Sequence, residues 1–415
     1  MFFFVIAPCI LRMLQHVLKE EIFLEGIKVY MKKQWGNLDG FWDLMQSVLD
    51  KQQNTGDTRG YISLKDLMDP WVKKKQYPVL KSHTELNSNM KKLNVVMENM
   101  SGTFKIPVTY IRLPKPNFHN TLPKFWIYFK SVVRLTFVFP YVTWLLLNLQ
   151  QTGYYRVNYQ KNDLLEIGEY LHTKNYTSIH VLNRAQIIDD TFHFITTGEF
   201  DSPATFWYLV AYLHQELDYI AWYPMFKAME RMSFIIPFNE SSHFKTKILG
   251  LLRPLLQKIG YEEFNTDEDL TKCLKQEAVK WACVLGDIEC KKMAERKLEW
   301  HLSNKTSNYL LPWWRKWTYC NGLSISTTSF SKVFHNLNDI FETNNSKILE
   351  YLACTNKTSD IQLAVLGKNL SSENNPRKNI IVRNCISVFF DVILRHAKDK
   401  LLHVITSHWE KIKLK

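Results

Sequence analysis

From about residue 160 onward, apolar side chains recur every third or fourth position, and short polar turns interrupt them at helical lengths. Ile248, Leu251, Leu252, Leu255 and Leu256 make one such stripe, closed by Gly260. Phe206, Leu209, Val210 and Leu213 make another. It starts behind Ser202-Pro203, where serine suits the N-cap and proline the first turn. The same reading predicts helices over 269–285, 287–302, 329–342, 346–354, 359–367, 378–394 and 398–412. None of these stripes is buried by its own helix, so neighbours must stack in pairs, as in an α-solenoid. No strict sequence repeat accompanies the rhythm.

The N-terminal part divides differently. Residues 1–80 read as helices, with Leu11, Leu14, Val17 and Leu18, then Phe23, Ile27 and Tyr30, then Phe41, Trp42, Leu44, Met45, Val48 and Leu49 at helical spacing. Ser63 is an N-cap for a short helix, and Pro78 ends the block. Residues 81–159 change to β-branched and aromatic clusters at Val108–Ile111, Phe125–Phe129, Thr136–Phe139 and Val142–Leu149. Leu86–Ser101 fits strands badly. The apolar run Val132–Leu149 contains Arg134 and Pro140, so it reads as buried strands and not as a membrane span. Met1–Leu11 is apolar but lacks a basic start and a small-residue cleavage site, and reads as a core helix.

A formal charge of +13 raises the question of nucleic acid. The lysines are dispersed over many helices, and Lys73-Lys74-Lys75 is the only run of three, so a solvated surface is the expectation and no nucleic-acid partner follows. Seven Asn-x-Ser/Thr sequons occur, at Asn99, Asn175, Asn239, Asn304, Asn344, Asn356 and Asn369. They point to the extracellular side of the plasma membrane or to secretion, with a lumenal alternative. Seven cysteines do not by themselves settle pairing.

A zinc peptidase needs two histidines one helical turn apart with a glutamate between them. None of the thirteen histidines is followed directly by glutamate, and no two stand three or four residues apart. His214-Gln215-Glu216 is a passing likeness without a second histidine, and reads as a surface or capping histidine. No Gly-x-Ser-x-Gly elbow and no phosphate loop occur.

Two short stretches carry a resemblance. They are Gly153-Tyr154-Tyr155-Arg156-Val157-Asn158-Tyr159, and Leu182–Asp190 with Asn183, Arg184, Asp189 and Asp190. Both are similar to signature segments of the aminopeptidase N family of zinc exopeptidases, at the junction of its small β domain and its C-terminal helical domain. Leu11-Arg12-Met13-Leu14, Phe23, Gly26, Tyr30, Trp42, Leu67–Trp71 and Tyr77-Pro78-Val79 resemble the helices that follow that family's zinc site. The resemblance covers roughly residues 9–80 and 145–415.

The resemblance implies a mainly α fold in three parts. Residues 1–80 would be a helical remnant of a thermolysin-like catalytic domain, 81–159 a degenerate small β-sandwich, and 160–415 a HEAT-like bowl of stacked helix pairs. It implies an activity, removal of N-terminal amino acids from peptides, and a family cofactor, zinc. It also implies that this chain by itself carries neither. Phe4 stands where the family has a tyrosine that steadies the oxyanion, and a phenyl ring donates no hydrogen bond. The exopeptidase loop, zinc ligands and general base are missing, so the chain has no catalytic residue or cofactor of its own. Cys283 with Cys290, and Cys320 with Cys354, match the family's two disulfides, with four free buried cysteines as the alternative. The aromatic side chains Trp207, Tyr208, Tyr212, Tyr219, Trp222 and Tyr223 read as helix packing, although some of them, with Arg315, would line the bowl. The partners implied are peptides or a related aminopeptidase chain, with membrane attachment only through a segment outside this sequence. A non-catalytic peptide- or protein-binding solenoid is the competing reading. Phe2, Phe3, Phe4, Ile6 and Ile10 are expected to form an apolar patch, and with it a homodimer.

Overall fold

A computed structural model describes residues 2–33, 38–53, 63–73, 77–87, 90–98, 104–113, 117–128, 135–140, 144–200, 202–235, 241–326, 332–333, 350–351 and 353–355. The chain forms two compact units, Met1–Ile235 and Ile236–Lys415. The fold is mainly α: twelve α-helices and eight short strands lie among the described residues.

The first unit opens with helices α1 (Phe2–Leu18), α2 (Glu20–Lys33), α3 (Leu38–Gln53) and α4 (Leu64–Lys73). Their stripes are buried as the spacing predicts. Met13, Leu14, Trp42, Met45, Leu64, Leu67 and Met68 are all almost completely covered. Ser63 Oγ accepts from the Asp66 amide at 3.2 Å, which caps α4. Ile10 is buried. It therefore belongs to the core and not to the exposed patch expected around it; the side chains of residues 2–6 lie outside the described ones.

Eight strands follow: β1 (Val79–Asn87), β2 (Met90–Glu98), β3 (Lys105–Val108), β4 (Tyr110–Leu113), β5 (Phe125–Tyr128), β6 (Leu135–Pro140), β7 (Trp144–Leu147) and β8 (Arg156–Asn158). They form a four-stranded sheet in the order β6-β2-β1-β8 and two ladders, β3 with β5 and β4 with β7. The β8 strand joins β1 in parallel, with Leu80 opposite Val157. The segment that fits strands badly, Leu86–Ser101, contributes the end of β1 and all of β2, a hairpin that pairs Asn87 with Met90. Its Lys91, Lys92 and Asn94 have low strand propensity. Pairing with β1 on one side and β6 on the other overrides that preference.

Helices α5 (Lys161–Leu171), α6 (Val181–Thr196), α7 (Ala204–Val210) and α8 (Tyr219–Ile235) complete the first unit. Ser202 Oγ accepts from the Ala204 amide at the start of α7. Phe206, Leu209, Val210 and Leu213 are all buried, as are Tyr212 and Trp222, so these two aromatics are core; Tyr223 is exposed.

The second unit holds α9 (Ser242–Ile259), α10 (Asp269–Val284), α11 (Ile288–Ser303) and α12 (Pro312–Leu323). Gly260 ends α9 with φ +72°, a conformation that glycine adopts without strain. At the α10–α11 turn Gly286 takes φ +77°, and Asp287 caps α11 by accepting from the Cys290 amide at 3.1 Å. The Cys283–Cys290 disulfide crosses the same turn, and Cys320–Cys354 ties α12 to residues further along the chain. The helix α12 lies outside the predicted set, because four aromatic residues between 309 and 317 mask its apolar period. The helices predicted beyond residue 329 lie almost entirely outside the described residues.

Candidate functional site: the junction around Arg156 and Arg184

Both signature stretches meet in the first unit. Arg156, on β8, reaches α6 and sends Nη1 to Asp189 Oδ2 and to Asp190 Oδ1, each at 2.6 Å. Asp190 turns its other oxygen to the backbone amide of Val157 at 3.0 Å and accepts from Gln186 Nε2 at 3.3 Å. One carboxylate thus fixes both the side chain and the backbone of β8. Arg156 Nε donates to Tyr77 Oη at 3.3 Å, and that oxygen lies 3.4 Å from His193 Nε2. Asn158 Nδ2 reaches Glu199 Oε2 at 2.5 Å.

The electrostatics follow from burial. Burial pushes the Asp190 carboxyl up to about 6, against the pull of Arg156 and the Val157 amide. Burial also works against the Arg156 charge, but Asp190 and Asp189 outweigh it and hold the guanidinium above its ordinary value. Burial and then the Arg156 charge push His193 down. Tyr155 and Tyr159, both buried, are pushed up for the same desolvation reason. Tyr159 Oη accepts from the Leu147 amide at 2.8 Å, so the phenol closes the end of β7.

A second centre lies at the start of α6. Arg184 Nε donates to Glu216 Oε2 at 2.8 Å and Nη1 to the Ile179 carbonyl at 2.5 Å, with Tyr176 stacked 5.3 Å away. Glu216 accepts further from the amides of Leu217 and Asp218, both at 3.0 Å. Both charged side chains are buried, and each has hydrogen bonds beyond the ion pair itself. The passing likeness at His214–Glu216 thus resolves into two structural roles. Glu216 is the buried partner of Arg184, and exposed His214 closes a 3-10 turn against the Ala211 carbonyl.

Asn183 joins this centre to the β domain. Its Oδ1 accepts from the Gln150 amide at 2.8 Å, and its Nδ2 donates to the Asn148 carbonyl at 3.0 Å. Asn148 sits at φ 58°, ψ 62° at the head of the 3-10 turn Leu149–Gln151. Its side chain donates to the carbonyls of Gly153 and Tyr155 and accepts from the Gly153 amide. A Cβ at Gly153 would run into the Tyr155 ring, so the turn needs glycine there. Arg12 of α1 closes the turn from the other side, donating to the Gln151 carbonyl at 2.7 Å. Asn148 is a site residue that sequence reasoning missed. The available signal was an asparagine that ends an apolar run, since asparagine tolerates the left-handed region.

The remaining candidates are dispersed. Phe4 lies on α1. Asn175 and Asn304 are exposed, and the other five sequon asparagines lie outside the described residues. Among the described residues no three His, Cys, Asp or Glu side chains converge as a metal site. With no paired helical histidines in the whole sequence, this chain's residues do not supply the donor set that the family's zinc requires. No described helix is long and apolar enough to cross a membrane.

The junction chemistry around Arg156 and Arg184 pairs charges and caps backbone amides. The ERAP1-like C-terminal domain family matches residues 144–415. The chain is 27% identical to "Aminopeptidase N" of Plutella xylostella, over 76% of this chain and 34% of that protein. It is 24% identical to "Membrane alanyl aminopeptidase" of Manduca sexta, over 86% of this chain and 37% of that protein. It is also 24% identical to "Thyrotropin-releasing hormone-degrading ectoenzyme" of Homo sapiens, over 97% of this chain and 39% of that protein. The chain therefore spans between about a third and two-fifths of the length of these relatives. A junction built by the two signature stretches, continuous with a matched helical domain, leads to one conclusion: the chain belongs to the aminopeptidase N family and carries its ERAP1-like C-terminal domain.

Proposed function

We propose that this chain is the peptide-capping C-terminal part of an aminopeptidase N-type ectoenzyme and does not hydrolyse peptides by itself. The family activity is removal of N-terminal amino acids from peptides. The observation that carries the reading is the contrast between an intact junction and a missing donor set. Arg156, Asp190, Asn183 and Arg184 hydrogen-bond within the junction, while no histidine pair suits zinc. Seven sequons and two disulfides support an extracellular or secreted setting. Two relatives named as membrane and ectoenzyme proteins support it as well.

The test is an assay of the purified chain on aminoacyl anilides with zinc added. No turnover is expected. Turnover that co-elutes with the chain on gel filtration, and that a chelator abolishes, would overturn the reading. The alternative is a non-catalytic solenoid that binds peptides or a related aminopeptidase chain. Light scattering with and without such a chain separates the two: a stable complex that forms without any peptidase activity favours the alternative. The same measurement tests the homodimer.

A further inference from the structure

Helix α11 ends at Ser303, and the chain folds back on its last turn. The Asn308 side chain donates to the Trp300 carbonyl at 2.6 Å, and the Asn308 carbonyl lies 2.7 Å from His301 Nδ1. Asn304 stands at the tip of this fold-back, exposed, as the C-cap of α11. Its Oδ1 accepts from the Thr306 hydroxyl at 2.8 Å and from the Ser307 amide at 3.1 Å. The oxygen is thereby occupied within the loop, and among the described residues Nδ2 has no hydrogen-bond partner. Asn304-Lys305-Thr306 is a sequon.

The same fold-back walls a cleft of about 490 Å³, lined among others by Trp300, Tyr309, Trp314, Arg296, Lys297 and Glu262. Trp300, on the last turn of α11, is 48% exposed and Tyr309, on the loop that follows, 55% exposed, high values for two large rings that line one cleft. Trp300 stands four residues before Asn304, where the backbone leaves the helix and becomes extended. Glu263 is already committed to the indole N–H groups of Trp313 and Trp314, at 2.9 and 2.7 Å. Lys297 has Glu262 only at 4.0 Å, so both keep hydrogen-bonding capacity toward the cleft. Flat apolar rings beside such donors and acceptors suit a sugar. The C–H face stacks on the ring, and the hydroxyl and acetamido groups meet the carboxylate and ammonium.

We infer that Asn304 carries an N-linked glycan whose first sugars lie on Trp300 and Tyr309 at the mouth of this cleft. The inference rests on the extracellular or secreted reading above. The modification uses a polyprenyl-diphosphate-linked oligosaccharide. A bond forms from Asn304 Nδ2 to the anomeric carbon, and the bond from that carbon to the diphosphate oxygen breaks. The diphosphate leaves with the electron pair, Nδ2 gives up one proton, and nothing is oxidised or reduced. The glycan then shields two aromatic rings that water otherwise contacts.

The test begins with the full chain secreted from cultured animal cells, treated with a glycan-releasing amidase in heavy-oxygen water and read by peptide mass spectrometry. Labelled aspartate at position 304 is expected, and N304Q and T306A each lose it. Occupied Asn175 with unoccupied Asn304 overturns the inference and leaves the extracellular reading standing; no occupancy at any of the seven sequons overturns both. The seat on Trp300 is read by acrylamide quenching of tryptophan fluorescence. Removing the glycan by N304Q is expected to raise the quenching slope in the native background and not in W300F. An equal change in both backgrounds, or no change in either, overturns the seat.

Discussion

Arg156 and Asp190 meet at 2.6 Å across the gap between β8 and α6, and the same carboxylate holds the Val157 amide at 3.0 Å. The pair fixes where the helical domain leaves the β domain. Its pH behaviour follows from burial, which raises the Asp190 carboxyl from 3.8 to about 6. A raised folded value means that the folded chain holds the proton more tightly. The contribution is therefore fully present below 3.8 and is lost as pH rises through about 6. D190N has no such titration. The native chain is expected to lose stability relative to D190N between about pH 4 and about pH 7, by urea unfolding at each pH. His16, His180, His193 and His301, all lowered by burial, work the other way, but they are common to both chains and cancel. A difference that does not change with pH would refute the assignment.

Arg184 and Glu216 form a buried pair, and truncating one partner strands the other charge. Glu216→Ala is expected to cost about 3–5 kcal/mol. Replacing both by apolar side chains, as in R184M/E216L, is expected to cost much less than the two single changes together. A double-mutant cycle by denaturant unfolding gives the coupling directly, and strict additivity would contradict the pairing.

Asn148 combines a left-handed backbone with three side-chain hydrogen bonds. N148G keeps the backbone and loses the bonds, whereas N148A loses both. We expect stability to fall in the order native, N148G, N148A, with the last two separated by about 1 kcal/mol. Thermal unfolding of the three proteins decides the order.

Gly322 of α12 has no room for a methyl group. A Cβ there would lie 2.8 Å from Leu298 Cδ2 and 3.1 Å from the Ala294 carbonyl oxygen, and the carbonyl cannot swing aside. G322A is expected to destabilise the second unit by about 1–3 kcal/mol. Gly250, inside α9 with nothing within 4 Å, is the counterpart, and G250A is expected to add up to about 1 kcal/mol. Chemical denaturation of both variants tests the opposite signs.

The helices were legible wherever a stripe of aliphatic side chains carried the period. Ile248, Leu251, Leu252, Leu255 and Leu256 all lie in the core of α9 and its neighbours. The β2 strand was not legible, because its lysines and asparagine give no local strand signal and the pairing that makes it a strand comes from β1 and β6. Arg156, Asp189 and Asp190 were legible as a resemblance, but their convergence was not, since it depends on how β8 meets α6. Glu216 was hidden for a similar reason. A lone glutamate beside a histidine announces nothing until Arg184, 32 residues earlier, is placed against it.

The hydrogen bond from Arg12 to the Gln151 carbonyl spans 139 residues of sequence. A ribosome adds about 5–20 residues per second, so α1 exists for on the order of ten seconds before the turn that receives it has been made. During that interval Met13 lacks its native neighbour, the Tyr154 amide that points at its sulfur from 3.5 Å. Closing so long a loop is slow. The N-terminal helix has α2 and α4 to pack on from early in synthesis, while its tie to the turn at Gln151 joins only after the whole β domain has been made.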